Sequence, residues 1–219
     1  MCESRSMLVL AIDTCGSAGS VALARLGGNG MEVLGESALP GRSYSAQLVP
    51  AIRVLLEAGQ AAAADLGAVV VTKGPGSFTG IRIGVSTAKG LAEARSVPIV
   101  AVSRLAVLAH KAGTRAAALD ASRREFYLGD YGVPAEERLL SFDGFAARAA
   151  ALGAELGVSE AAVHDAAPAA TLVAEATAAD ALEFALPRLR ACAFDDPATL
   201  DGEYLRRSDA EIFAKTPRP

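Results

Sequence analysis

Tryptophan is absent from this chain, histidine occurs only at His110 and His164, and aromatic residues make up 5% of it. With no HExxH or HxxxH spacing, two histidines exclude a His-rich zinc site, and a Ser-His-Asp triad would have to recruit one of them from far away in sequence. Cysteine is scarce too. Cys2, Cys15 and Cys192 form no CxxC pair, and an odd count suits a reducing cytosol better than a disulfide framework. A surplus of basic charge is missing: the net charge is −4, whereas phosphate-backbone binding rests on clustered Lys and Arg. Any nucleic-acid role is therefore expected to be indirect. No apolar run reaches the length of a membrane span, and Met7–Ile12 ends at Asp13, too short for a secretory signal. The expectation is a cytoplasmic chain without membrane contact. Residues Met1–Ser6 read as a loose polar lead-in, with Met7 as an alternative start, and Ala210–Pro219 as a fraying end.

What the chain does have is ample apolar content, 52% of 219 residues, enough for one large or two small cores. MLVLAID (Met7–Asp13) is a continuous apolar run closed by an acid, as in a buried strand whose end opens onto a site. Turn chemistry at Thr14–Gly19 predicts a hairpin return through Ser20–Arg25, and a third strand follows at Glu32–Leu39. Ser45–Gly59 places Leu48, Ile52, Leu55 and Leu56 at helical spacing, with Ser43 or Ser45 as cap and Pro50 early enough to be tolerated. Strand Ala68–Thr72, a helix from Gly80 to Arg95 and strand Pro98–Val102 complete a βββαβαβ pattern. After a helix capped by Ser103, the pattern echoes. Arg115–Asp120 is again an apolar strand ending in Asp, followed by strands at Glu125–Tyr131 and Glu137–Phe142 and a helix over Phe142–Leu152. The alanine-rich tract Glu155–Ala185 carries only short apolar runs such as Thr171–Val173, and a further helix is expected over Asp180–Arg190.

Val69–Arg95 is the densest stretch. Gly74, Gly76 and Gly80 let the backbone take positive φ or approach another surface closely, and Ser77 or Thr79 can cap the helix that follows. Two readings fit. A strand-to-helix turn with free N–H groups can cradle an anion, or the glycines serve only the geometry of a tight turn. The loop lacks the Lys-Ser/Thr ending of a Walker P-loop, and in Gly76-Ser77-Phe78-Thr79-Gly80 the serine follows glycine directly, which breaks G-x-S-x-G. Asp13 and Asp120, each closing an apolar strand, stand where Mg²⁺ could be held beside nucleotide phosphates, or where each simply turns the chain. Cys15, beside that carboxylate, reads as an inert small residue. Lys73, Arg82, Lys89 and Arg95 read as a solvated face. Gly80, Gly84, Thr87, Ala88 and Leu91 share one side of the helix, small enough for another helix to come unusually close, within the chain or across chains.

Asp13-Thr14 before a Ser-Val-Ala-Leu strand, GPGSFTGIRIGVSTAKGLA from Gly74 to Ala92, Asp120-Ala121 before Glu125-Phe126-Tyr127, and Tyr204-Leu205-Arg206 together resemble the TsaB (YeaZ) family. The resemblance spans most of the chain. It implies an α/β, actin-like (ASKHA, ribonuclease H-like) fold of two related subdomains, each a mixed sheet with flanking helices. Residues 1–102 would form the first and 103–219 the second, the last segment packing back on the first. It also implies a non-catalytic role in making threonylcarbamoyladenosine at tRNA position 37, beside a TsaD-like transferase and a TsaE-like ATPase, with self-pairing when TsaD is absent. TsaD would carry the metal-binding HxxxH and most tRNA contact. No catalytic or metal residue is expected in this chain, and no cofactor of its own. ATP or ADP with Mg could sit at a site shared with the partner, around Asp13, Thr14, Gly74, Gly76, Ser77 and Thr79. The partner face would comprise Leu48, Ile52 and Leu55 with Gly80, Arg82, Gly84, Thr87, Ala88 and Leu91. A freestanding ATPase or small-molecule kinase of the same fold is the alternative. Tyr44, where the family often has His, and Ser122-Arg123-Arg124, in place of Arg-x-Gly, depart from its pattern.

Overall fold

The structure is a computed structural model describing residues 6–28, 30–41 and 43–205. The expectations for the lead-in before Ser6, for Arg206 and for Ala210–Pro219 lie outside the described residues. Strands β1 (Met7–Asp13), β2 (Gly19–Gly27) and β3 (Gly30–Leu39) form an antiparallel meander, helix α1 (Tyr44–Ala58) follows, and β4 (Leu66–Thr72) returns parallel to β1. Helix α2 (Phe78–Arg95) leads to β5 (Ile99–Val102), parallel to β4, so the first sheet has the order β3-β2-β1-β4-β5.

Helix α3 (Arg104–Ala112) then opens a second round: β6 (Ala116–Asp120), β7 (Glu125–Asp130), β8 (Glu136–Ser141), α4 (Phe142–Leu152), β9 (Leu156–Val158), α5 (Ala161–Ala166), β10 (Thr171–Leu172) and α6 (Ala178–Arg190). The second sheet runs β10-β9-β6-β7-β8, with the same parallel and antiparallel pairings as the first. The chain thus uses one βββαβαβα plan twice, which is the two-part actin-like architecture. Short β9, α5 and β10 resolve the alanine-rich tract that pattern alone leaves open.

Each round ends in a helix that crosses over. Leu105, Leu108 and Ala109 of α3 join the core built on Ala117 and Leu119 of β6, while α6 packs its Ala178, Ala181, Leu182, Ala185 and Leu189 on the first sheet. Strand side chains are graded to suit. Leu8, Leu10, Ile12, Val21, Leu23, Val69 and Val71 face α1 and α2; Val9, Ala11, Ala22, Ala24, Ala68 and Val70 face α6. Alternation in a strand separates these two sets. With small residues on both the sheet and the helix, α6 can lie close, which gives the alanine composition its purpose.

Helix ends follow local chemistry. Ser77 Oγ accepts from Gly80 N at 3.2 Å, and Ser103 Oγ accepts from Leu105 N at 3.2 Å and Ala106 N at 3.3 Å. At the head of α1, Ser43 instead donates its hydroxyl to Pro40 O at 3.0 Å, and its side chain does not cap. Among the described residues no helix is long and apolar enough to cross a membrane.

Candidate functional site: the glycine loop and the cleft between the sheets

The carboxyl ends of β1, β4 and β6 converge on a cleft of about 1040 Å³. It is lined by the Gly76–Gly80 segment with Ile83, by Asp120–Arg123 with Tyr127 and Glu160, and by Tyr44 and Arg104. The glycine loop is bound tightly into its own subdomain. A Cβ on Gly76, whose φ is +157°, would stand 2.2 Å from Cys15 O, and Ser77 N donates to that same carbonyl at 2.8 Å. Gly74, at φ +118°, lies under Glu203 O, 2.7 Å from where a Cβ would be.

The first turns of α2 sit on β1 in the same way. A Cβ on Gly80 would come within 2.0 Å of Thr14 O, and one on Gly84 within 2.4 Å of Thr14 Oγ1. Thr14 donates its hydroxyl to Gly80 O at 2.7 Å, fixing the helix to the strand end. The small-residue stripe therefore lets α2 approach β1. Gly80, Gly84 and Ala88 are buried there, and Leu48, Ile52 and Leu55 are buried in the same core. Within the chain, the side of these six is filled by its own sheet. Thr87 and Leu91 are half-buried, and Arg82 is exposed, its guanidinium 4.0 Å from the centre of the Phe78 ring. On α1 the outward side carries Val49 and Val54, 62% and 58% exposed.

The suggested nucleotide residues divide. Gly76, Ser77 and Thr79 line the cleft, whereas Asp13, Thr14 and Gly74 lie outside its lining. Asp13 Oδ1 accepts from Cys15 N at 2.8 Å. Burial pushes its carboxyl above the usual range, against the pull of the nearby Arg104 guanidinium. Arg104 is itself 7% exposed and donates from Nη2 to Glu175 Oε1 at 2.8 Å. Burial alone would push that guanidinium down, but Asp13 and Glu175 hold it above its ordinary value. A cation is thus built in beside Asp13, the carboxylate already accepts a backbone N–H, and the Thr14 hydroxyl is spent on Gly80. These residues do not fit a magnesium ion at Asp13.

Cys15 is inert for related reasons. Its Sγ donates to Thr72 O at 3.2 Å, and burial together with Asp13 pushes the thiol well above its usual value. Tyr44, the first residue of α1, donates to Gly16 O at 2.9 Å, and burial raises its phenol to about 12. Across the cleft, Asp120 Oδ1 accepts from Ser122 N at 2.8 Å, and Asp120 N donates to Glu160 Oε2 at 2.6 Å. Ser122, Arg123 and Arg124 have φ of 63°, 56° and 61°, three successive left-handed residues at the rim.

Arg104 and Glu175, the charged centre of this region, were not legible as site residues. One signal existed: an arginine at the first position of a helix, where the dipole disfavours a cation, implies a local anion.

Comparison with known proteins adds an independent line. Residues 38–191 match the family model described as TsaD, tRNA N6-adenosine threonylcarbamoyltransferase. The chain is 44% identical over 94 residues to the tRNA threonylcarbamoyladenosine biosynthesis protein TsaB of Bacillus subtilis, covering 41% of each chain. It is 37% identical over 131 residues to the protein of that name from Escherichia coli, covering 57% of this chain and 55% of the relative. These matches span about half the length of those curated relatives. A Pseudomonas aeruginosa crystal structure, described as an uncharacterized protein with similarity to peptidase YeaZ, superposes with a TM-score of 0.74 at 29% identity, over 91% of this chain and 100% of that one.

Proposed function

The chain belongs to the TsaB (YeaZ) family, within the wider TsaD-type family, and from that premise we propose that it is a non-catalytic partner subunit in the synthesis of N6-threonylcarbamoyladenosine on tRNA. The observation that carries the non-catalytic part is the glycine loop itself. Its glycines are consumed in seating α2 on β1 and on residues 15 and 203, and the Arg104 guanidinium already acts on Asp13 as a neighbouring positive charge. A loop spent on packing makes a rigid platform.

The partner in this reading is a TsaD-like transferase, seated on the outward sides of α1 and α2 through Val49, Val54, Arg82 and the half-buried Thr87. Self-pairing through the same sides in the transferase's absence, a TsaE-like ATPase as a further component, and residence in the cytoplasm complete the proposal. The tRNA is met through the transferase, in keeping with the net charge of −4. No cofactor belongs to this chain alone; ATP or ADP with Mg would enter only at a site shared with the partner.

Co-purification with the transferase tests it. A Val49→Asp, Val54→Asp double variant, altering only exposed side chains, is expected to lose the partner while melting at the unaltered temperature. Undiminished pairing would remove this face from consideration, and saturable, magnesium-dependent ATP turnover by the isolated chain would overturn the non-catalytic reading.

A further inference from the structure

Phe78 opens α2 with its ring 42% exposed, the most open of the phenylalanines and tyrosines among the described residues. It belongs to neither core of the first sheet, and the seating of α2 is done by Ser77 and the glycines. The ring is nonetheless held in place. Arg82, one turn on, sets its guanidinium 4.0 Å from the ring centre, and the Tyr204 ring lies 5.0 Å away, tilted by 50°. Phe78 and Tyr204 both line the cleft, together with the exposed hydroxyls of Ser17, Ser45, Ser77 and Thr79. The charged lining is mostly acidic. Asp120, Glu160 and Glu203 stand against two guanidiniums, and one of these, Arg104, is already engaged with Asp13 and Glu175.

We propose that Phe78 is a stacking platform for one unpaired, amino-bearing base of the tRNA, which enters the cleft while its phosphates stay outside. The proposal rests on reading the chain as a subunit of the tRNA-modifying assembly. Stacking on an aromatic ring needs no basic patch, so it is compatible with a net charge of −4, which argues only against a grip on the phosphate backbone. A ring already packed against Arg82 and Tyr204 gives up little freedom when a base lies on it. The lining then selects the ligand. A phosphate among Asp120, Glu160 and Glu203 would meet like charge, which disfavours a free nucleotide. An exposed carboxylate such as Asp120 can instead accept from the exocyclic amino group of adenine, cytosine or guanine. An apolar protein side chain would leave those hydroxyls and carboxylates without partners.

The assembly of this chain, a TsaD-like transferase and tRNA tests it. Phe78→Leu, which keeps apolar bulk beside Tyr204 but removes the ring, should raise KM for tRNA about fivefold or more, the effect of losing one stacked base. Its kcat, melting temperature and co-purification with the transferase should stay unchanged. Phe78→Trp, which restores a ring, should return KM to the parental value. Ultraviolet irradiation should cross-link the tRNA to the peptide carrying Phe78, and millimolar ATP should not suppress the link. An unmoved KM in Phe78→Leu, a raised KM that Phe78→Trp does not restore, or a cross-link abolished by ATP would each overturn the proposal. So would loss of the transferase from Phe78→Leu, which would place the ring on a protein face; the partner reading is judged separately, by co-purification of the parental chain.

Discussion

The two halves begin alike and diverge at one turn. In each, the first strand ends in an aspartate whose Oδ1 accepts the N–H two residues on: Asp13 from Cys15 and Asp120 from Ser122. The first half then covers its aspartate. Lys73–Ser77 folds over the strand end, an 18-residue α2 is seated behind it, and Arg104 arrives from α3 with Glu175 to balance the charge. The second half leaves Asp120 exposed, puts Ser159 and Glu160 where the glycine loop would be, and follows them with a six-residue α5. The same topology has been elaborated once. The difference teaches that the GPGSFTG segment is not required by the fold plan and is kept for what it holds in place.

Arg104 gives the largest expected effect. Arg104→Met leaves Asp13 and Glu175 without their cation; breaking a fully buried pair costs about 3–5 kcal/mol, and with the Glu175 side chain 39% exposed the lower end of that range is expected. Chemical denaturation at neutral pH should show a loss in that range. The deficit should shrink as pH falls, since Asp13, raised by burial, takes up a proton early and ceases to be an unpaired charge. A pH-independent loss would contradict the account of that cluster.

Gly80→Ala comes next. The new methyl meets a backbone carbonyl, which cannot swing aside, so a cost of about 3 kcal/mol is expected, at the upper end for overpacking. Gly84 carries the same warning against Thr14 Oγ1. A neutral Gly80→Ala would break the claim that α2 is seated through its glycines.

The matching lesion in the second half is Asp130→Asn. Asp130 accepts from Arg115 Nε at 2.9 Å and also pairs with Arg148, and the Arg115 hydrogen bond holds its carboxyl down at about 2. Its folded value lies below the ordinary 3.8, so its contribution is complete above that value and is lost as pH falls through about 2. Asp130→Asn should cost about 2 kcal/mol at neutral pH, the scale of a charged hydrogen bond. The variant and the parent should converge in acid melts near pH 2, and a gap that persists there would point to shape rather than charge.

Smallest, and of opposite sign, is Gly90→Ala. Gly90 is exposed in mid-α2, and a methyl added there would meet nothing within 4 Å, so the change should stabilise by about 0.5–1 kcal/mol. The contrast between Gly80 and Gly90, in one helix, isolates packing from propensity.

Much of the first half could be read in the chain because its elements are long enough to show a period. Leu48, Ile52, Leu55 and Leu56 mark α1, and MLVLAID reads as a buried strand on sight. The three-residue β9 and two-residue β10 are too short to carry any period, and alanine does not distinguish a strand-facing helix from a solvent-facing one. At the site, Ser77 and Ser103 were legible as caps because capping is local chemistry. The stripe of Gly80, Gly84 and Ala88 was legible as a close-packing face, but a one-dimensional pattern cannot say what it packs against; Thr14 and β1 answered. Arg104 and Glu175 stand 71 positions apart, and only the fold brings them together.

The central claim is that Val69–Arg95 is a platform for a partner and not a catalytic cradle. The most direct measurement is formation of threonylcarbamoyladenosine on tRNA by a TsaD-like transferase supplied with variants of this chain. Asp13→Asn, which keeps the local turn but removes the carboxylate a magnesium-dependent enzyme could not lose, should support modification at close to the parental rate, while Val49→Asp, Val54→Asp should not support it. Abolition by Asp13→Asn in a chain that still folds and still binds the transferase would contradict the account.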